Sequence, residues 1–81
     1  MSLSLRGDRV DEAIPKLDKY LDEAFVARLS KVTIIHGKGT GALRKAVHEF
    51  LSRHPYVKTY RLGERGEGEA GATVVELDIM V

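Results

Sequence analysis

Apolar residues recur at Val10, Ala13, Ile14, Leu17, Leu21, Ala24 and Phe25, the i, i+3, i+4, i+7 spacing that draws one stripe along a helix. Asp11, Glu12, Lys16, Asp18, Lys19, Asp22 and Glu23 fall mostly outside that stripe. Pro15 lacks a backbone N–H, so the pattern predicts a helix that starts near Asp11 or is kinked in its first turns. A second helical stripe follows at Leu43, Ala46, Val47, Phe50 and Leu51, leaving Arg44, Lys45, His48, Glu49, Ser52 and Arg53 to water. His54-Pro55 ends it, because the residue before a proline avoids the helical region. The remaining apolar blocks are short. Residues 3–5 read as a strand stopped by Gly7, and the β-branched run Val32-Thr33-Ile34-Ile35 as a buried one. Residues 57–62 read as a third strand and residues 73–79 as a fourth, with Val75, Leu77 and Ile79 alternating against Glu76 and Asp78. Between these two, residues 63–72 hold four glycines and are expected to form a flexible loop.

The element order is therefore β-α-β-α-β-β. Helical crossovers between the first three strands favour parallel neighbours, and the loop before the last strand favours an antiparallel pair. Two helices cannot cover both faces of a sheet, and the last strand has a polar face. The expected fold is thus of the α/β (α+β) class, a two-layer sandwich with a four-stranded mixed sheet and both helices on one face. A chain of 81 residues supports one domain with one small core.

Composition narrows the possible functions. No apolar run approaches the roughly 18 residues of a membrane span, and the N-terminus has no signal-peptide core, so no membrane partner is expected. The absence of cysteine rules out disulfides and thiolate metal sites and fits a cytoplasmic setting. The net charge of +1 is unevenly spread. Residues 31–65 carry eight basic and two acidic side chains, whereas residues 66–81 carry four acidic and none basic. A basic middle flanked by acidic ends is the pattern of a localised polyanion contact.

The candidate chemistry lies where the second strand meets the second helix, at His36-Gly37-Lys38-Gly39-Thr40-Gly41. Glycines let backbone N–H groups approach a ligand, and a helix N-terminus offers unpaired N–H groups and a favourable dipole. Strand, glycine-rich loop and helix together make a phosphate site. Lys38, Arg44 and Lys45 add full charges that oppose the helix dipole unless an anion is bound. A tight turn with Thr40 as N-cap would account for one or two glycines, but not for three together with Lys38. The spacing is not that of a Walker A loop. It does fit G-x-G-x-x-A, but the remaining strands and the acidic ribose ligand of a dinucleotide fold are missing. His36 and Arg6 each end a strand of the expected parallel pair, which sets them on one rim beside the loop. An arginine for phosphate oxygens and a histidine for proton transfer form a pair suited to phosphodiester cleavage. Glu67 and Glu69 read as solvated loop charges. No cluster of His, Asp and Glu at ligand spacing points to a divalent metal, and no resident cofactor is expected. Tyr56 and Tyr60 are the main aromatics available to a surface, which favours recognition of backbone and shape over base stacking.

The segments Leu3-Ser4-Leu5-Arg6-Gly7, Ile35-His36-Gly37-Lys38-Gly39-Thr40-Gly41, His54-Pro55-Tyr56-Val57 and Gly66-Glu67-Gly68 followed by Thr73-Val74-Val75-Glu76-Leu77 resemble the successive signatures of the Smr (small MutS-related) domain. The resemblance covers nearly the whole chain. It is strongest to the version at the C-terminus of bacterial MutS-like ATPases of the second type, which implies a single domain, residues 1–81, excised from a longer protein. It implies a β-α-β-α-β-β fold like the C-terminal domain of a translation initiation factor, and binding to DNA or RNA. It also implies nicking endonuclease activity, or a non-catalytic module that binds nucleic acid or the ribosome through the same loop. Full-length relatives add an ATPase and dimerise through other domains, so this domain is expected to be a monomer. Their implied roles are in DNA repair, in limiting recombination and in rescuing stalled ribosomes. One residue departs from the pattern: Ser4 stands where the family's first motif carries an aspartate.

Overall fold

Pro15 does not break the first helix. The structure, a computed structural model that describes residues 1–79, carries α1 through Val10–Val26 with Pro15 inside it. The ring removes one helical hydrogen bond, and the cost is offset by the burial of Ala13, Leu17, Leu21 and Ala24 on the inner stripe. Asp11 and Glu12 sit in the first turn, where the helix dipole favours acids, and Glu12 Oε1 accepts the Arg9 N–H at 3.0 Å. The second helix, α2, is Ala42–Ser52 and buries Val47 and Leu51.

The strands are β1 (Ser2–Ser4), β2 (Lys31–Ile35), β3 (Val57–Leu62) and β4 (Ala72–Leu77), and they form one mixed sheet in the order β1-β2-β4-β3. β1 and β2 are parallel, and β4 is antiparallel to both β2 and β3. The expected pairing of β2 with β3 is therefore replaced by an insertion of β4 between them. Composition explains the exchange. Ala72, Thr73, Val74, Val75 and Leu77 are all buried, so β4 is apolar enough on both faces for a central place. Lys58, Thr59 and Arg61 give β3 the polar chemistry of an edge.

Register decides which side chains meet the helices. Val32 lies opposite Val75 and Ile34 opposite Thr73, and Tyr60 is the partner of Val75 on the other side. Side chains at paired positions share a face. Val32, Ile34, Val75 and Leu77 pack with Leu5 against the stripes of α1 and α2 to make the core. Arg61 and Thr33 flank Val74 on the opposite face. Val74 is nevertheless only 2% exposed, so that face of β4 is less polar than expected.

The glycine-rich connection from β3 to β4 is tied by hydrogen bonds and ends in a 3₁₀ turn at Glu69–Gly71. Glu67 bridges the strands on either side of β4. Its carboxylate accepts from Arg61 Nη1 at 2.8 Å and Nη2 at 3.1 Å, and it lies 4.0 Å from Lys31 Nζ. The bidentate pair folds the loop back over the helix-free face of the sheet.

Candidate functional site

The rim at the C-terminal ends of β1 and β2 is built around residues 36–41. The N–H groups of His36 and Gly37 both donate to the Gly71 carbonyl, at 3.0 and 2.9 Å, and so staple the base of the loop to the start of β4. Gly37 has φ +80°, and a Cβ there would lie 3.6 Å from Arg6 Cγ, so the loop and Arg6 pack side by side. Gly41, at φ +85°, is the N-cap of α2, a position expected for Thr40 in a simple turn. Thr40 Oγ1 instead accepts the Ala42 N–H at 3.4 Å. The N–H groups of Lys38, Gly39, Thr40, Gly41, Leu43 and Arg44 meet no protein acceptor among the described residues. A run of donors without protein acceptors at a left-handed turn and a helix N-terminus is an arrangement chemically suited to an anion.

Two hollows flank the loop. One, of about 550 Å³, is bordered by Arg6, Ile35, Gly37, Lys38 and Glu67. The other, of about 280 Å³, is bordered by Asp8, Arg9, His36 and the loop through to Arg44. Beyond them a groove of about 830 Å³ runs along α2 past Arg44, Lys45, His48 and Tyr60. Arg6, Arg44 and Lys45 make no ion pair among the described residues, whereas Lys38 Nζ lies 3.9 Å from Glu69. The expected neighbours Arg6, Lys38, Arg44 and Lys45 thus all border the loop. Ser4 is exposed at the end of β1 opposite Ile35, so the family's aspartate would stand at the edge of the Arg6 hollow.

Of the two loop acids Glu67 is not a free solvated charge, whereas Glu69 stays mostly exposed. Glu69 faces Lys38. Hydrogen bonds from the Arg61 guanidinium and then from the Glu64 N–H hold the Glu67 carboxyl at about 2, below its ordinary 4.5.

His36 is 5% exposed, and both of its ring nitrogens are engaged. Nδ1 is 2.9 Å from the Gly37 carbonyl oxygen, which can only accept, so Nδ1 carries the proton. In the neutral ring Nε2 then accepts from the Thr73 hydroxyl at 2.8 Å. The same hydroxyl oxygen lies 2.7 Å from His48 Nε2, which must therefore be its N–H donor. The result is one directed chain from His48 through Thr73 and His36 to Gly37. His48, expected to face water, is half-buried because position 73 faces α2 in the sheet register. Burial, followed by the nearby His36 and Arg44 charges, lowers its pKa below the ordinary 6.5. Sequence reasoning missed Thr73 and His48 as site residues. The available signals were the inward parity of Thr73 with Val75 and the one-turn spacing of His48 from Arg44.

The structure also gathers Asp18, Asp22 and His54, whose ligand atoms lie within 4.8 Å of one another, a cluster that no spacing revealed. His54 Nδ1 accepts the Tyr56 N–H at 3.1 Å, so the ring proton sits on Nε2, which points to Asp18 Oδ1 at 3.4 Å. A cation at Nε2 would leave the ring without a proton on either nitrogen. The trio is better suited to tying the end of α2 to α1 than to metal binding. Tyr56 stacks on Phe25 at a centroid distance of 3.9 Å, and Tyr60 packs edge-on against His48 at 5.2 Å. Both rings are partly consumed by these contacts.

The Smr domain family profile matches residues 3–78. Endonuclease MutS2 of Caldicellulosiruptor bescii is 61% identical over 77 residues, which cover 95% of this chain and 10% of that protein. Endonuclease MutS2 of Clostridium tetani is 63% identical over 75 residues, covering 93% of this chain and 10% of the relative. The chain thus spans about a tenth of the length of the curated relatives it matches. Among solved structures, the Smr domain of Thermus thermophilus MutS2 superposes with a TM-score of 0.91 at 45% identity, covering 94% of this chain and 95% of the other. YdaL, a stand-alone small MutS-related protein from Escherichia coli, superposes with a TM-score of 0.89 at 29% identity, over 94% of this chain and 63% of its own.

Proposed function

Because the chain belongs to the Smr domain family, we propose that it binds DNA or RNA by holding a backbone phosphate in the loop of residues 36–41, and that it nicks the strand held there. The observation that carries this reading is the set of N–H groups of Lys38, Gly39, Thr40, Gly41, Leu43 and Arg44 that meet no protein acceptor among the described residues, framed by Arg6, Lys38, Arg44 and Lys45. Such a site reads charge and backbone geometry, not bases. Cleavage is supported by the naming of the relatives as endonucleases. In this reading Arg6 neutralises the phosphate oxygens from the side of β1. His36 serves the reaction from behind the loop, through Gly37 and Thr73, since neither nitrogen is free to touch substrate. No resident cofactor or metal is invoked. Within a longer cytoplasmic protein, dimeric through its other domains, the domain would act in limiting recombination or in rescuing stalled ribosomes.

A non-catalytic DNA-, RNA- or ribosome-binding module is the second reading, and Ser4 in the place of the family's aspartate favours it. Incubation with supercoiled plasmid and with structured RNA separates the two. The wild-type domain is expected to nick, and Arg6→Ala to lower the rate roughly a hundredfold or more. Equal activity in wild type, Arg6→Ala and His36→Ala would trace the cleavage to a contaminant and overturn the first reading.

A further inference from the structure

The chain His48–Thr73–His36 leaves one nitrogen unaccounted for. His48 Nε2 donates its proton to Thr73, so in the neutral ring Nδ1 carries a lone pair. Nδ1 makes no hydrogen bond among the described residues and is not sealed from solvent. His48 borders the groove that Arg44 and Lys45 line, and Arg44, one helical turn before it, also borders the hollow at the anion loop. An imidazole with a free, unsealed lone pair therefore borders a groove that shares Thr40, Gly41, Ala42 and Arg44 with the hollow at the loop. From this geometry we propose that His48 Nδ1 is the proton-accepting group of the cleavage site, with Thr73 and His36 as positioning residues that fix its tautomer. The proposal rests on the cleavage reading above.

The groups facing His48 suit the task. Thr73 approaches from β4, His36 from the end of β2 at a ring distance of 6.1 Å, Tyr60 from β3 and Arg44 from its own helix, with Lys45 and Glu49 along the same groove. Burial, and then repulsion from His36 if it took up a proton and from the Arg44 cation, disfavour a second proton on the ring. In the proposed step a water molecule gives one proton to Nδ1 while its oxygen forms the new bond to phosphorus. The bond from phosphorus to the leaving oxygen breaks, and that oxygen keeps the electron pair and takes a proton from solvent. His48 then returns its own proton to solvent, so the ring ends as it began. Arg44 and the loop N–H groups face the charge that builds on the phosphoryl oxygens.

His48→Gln tests this directly, because the glutamine amide can still donate to Thr73 but offers no base. Its nicking rate is expected to fall about a hundredfold or more, with oligonucleotide affinity unchanged. The wild-type rate should decline on the acid side at a pH below 6.5, and that acid limb should vanish in His48→Gln. Thr73→Val should slow nicking and Thr73→Ser should restore it. Imidazole ¹⁵N spectra of the uncleaved, ligand-free domain at pH 8 supply a readout independent of activity, with the proton expected on Nε2 of His48 and on Nδ1 of His36. Undiminished nicking by His48→Gln, or a proton on His48 Nδ1, would overturn the proposal while leaving the cleavage reading intact. A wild-type domain that binds but never nicks would overturn both.

Discussion

Lys38 illustrates how single residues set the strength of this site. Its ammonium lies 3.9 Å from Glu69, and both side chains are mostly exposed, so the pair is weak and competes with any bound phosphate. Glu69→Gln is therefore expected to tighten oligonucleotide binding by about two- to fivefold, the equivalent of a surface pair of roughly 0.5–1 kcal/mol. Fluorescence anisotropy at fixed ionic strength checks this, and an unchanged or weakened affinity would remove Glu69 from the account. Gly68 acts on the fold instead. It holds φ +98°, and a Cβ there would lie 2.7 Å from the Ala72 Cβ at the head of β4. Gly68→Ala should cost about 1–3 kcal/mol in urea unfolding. At this scale the placement of Arg6 and Lys38 beside the loop was legible in the sequence, whereas the engagement of both His36 ring nitrogens was not. Thr73 was not legible, because a threonine on a strand is an ordinary β-former until register turns it towards two histidines.

Among the elements, the β3–β4 connection departs most from expectation. Four glycines in residues 63–72 suggested flexibility, yet the bidentate Arg61–Glu67 contact and the Gly71 carbonyl that receives His36 and Gly37 tie it down at both ends. The Glu67 pair makes a pH-dependent contribution of predictable sign. Its folded pKa, about 2, lies below the ordinary 4.5, so the pair stabilises the fold above about pH 4.5 and loses that effect as pH falls towards 2. The stability difference between wild type and Glu67→Gln should accordingly shrink across that window. A difference that is flat or grows on acidification would contradict the assignment. The helices were legible because their stripes are long and periodic, and even Pro15 did not obscure α1. The pairing of strands was not, since β2 and β3 are joined by a crossover that fits adjacency equally well, and only the two-faced burial of β4 decides for the centre.

For the whole molecule, the charge asymmetry seen along the chain is partly cancelled in three dimensions. Glu67 takes Arg61 and lies beside Lys31, and Glu69 faces Lys38. The cations at the loop that make no ion pair among the described residues, Arg6, Arg44 and Lys45, are concentrated on one rim, with the loop's N–H groups between them. On the proposed function, affinity for a polyanion would come from this one edge and not from the net charge of +1. This edge was anticipated from the glycine spacing and the parallel β1–β2 pair. Its extension along α2 to His48 and Tyr60 depended on helix packing that no linear pattern encodes. The most direct test is the salt dependence of duplex binding by the wild-type domain, Lys38→Ala and Arg44→Ala. Affinity is expected to fall steeply with salt, with the log–log slope reduced by roughly one unit for each substitution. An affinity indifferent to salt, or slopes identical in all three proteins, would contradict the claim that this loop holds nucleic-acid phosphate.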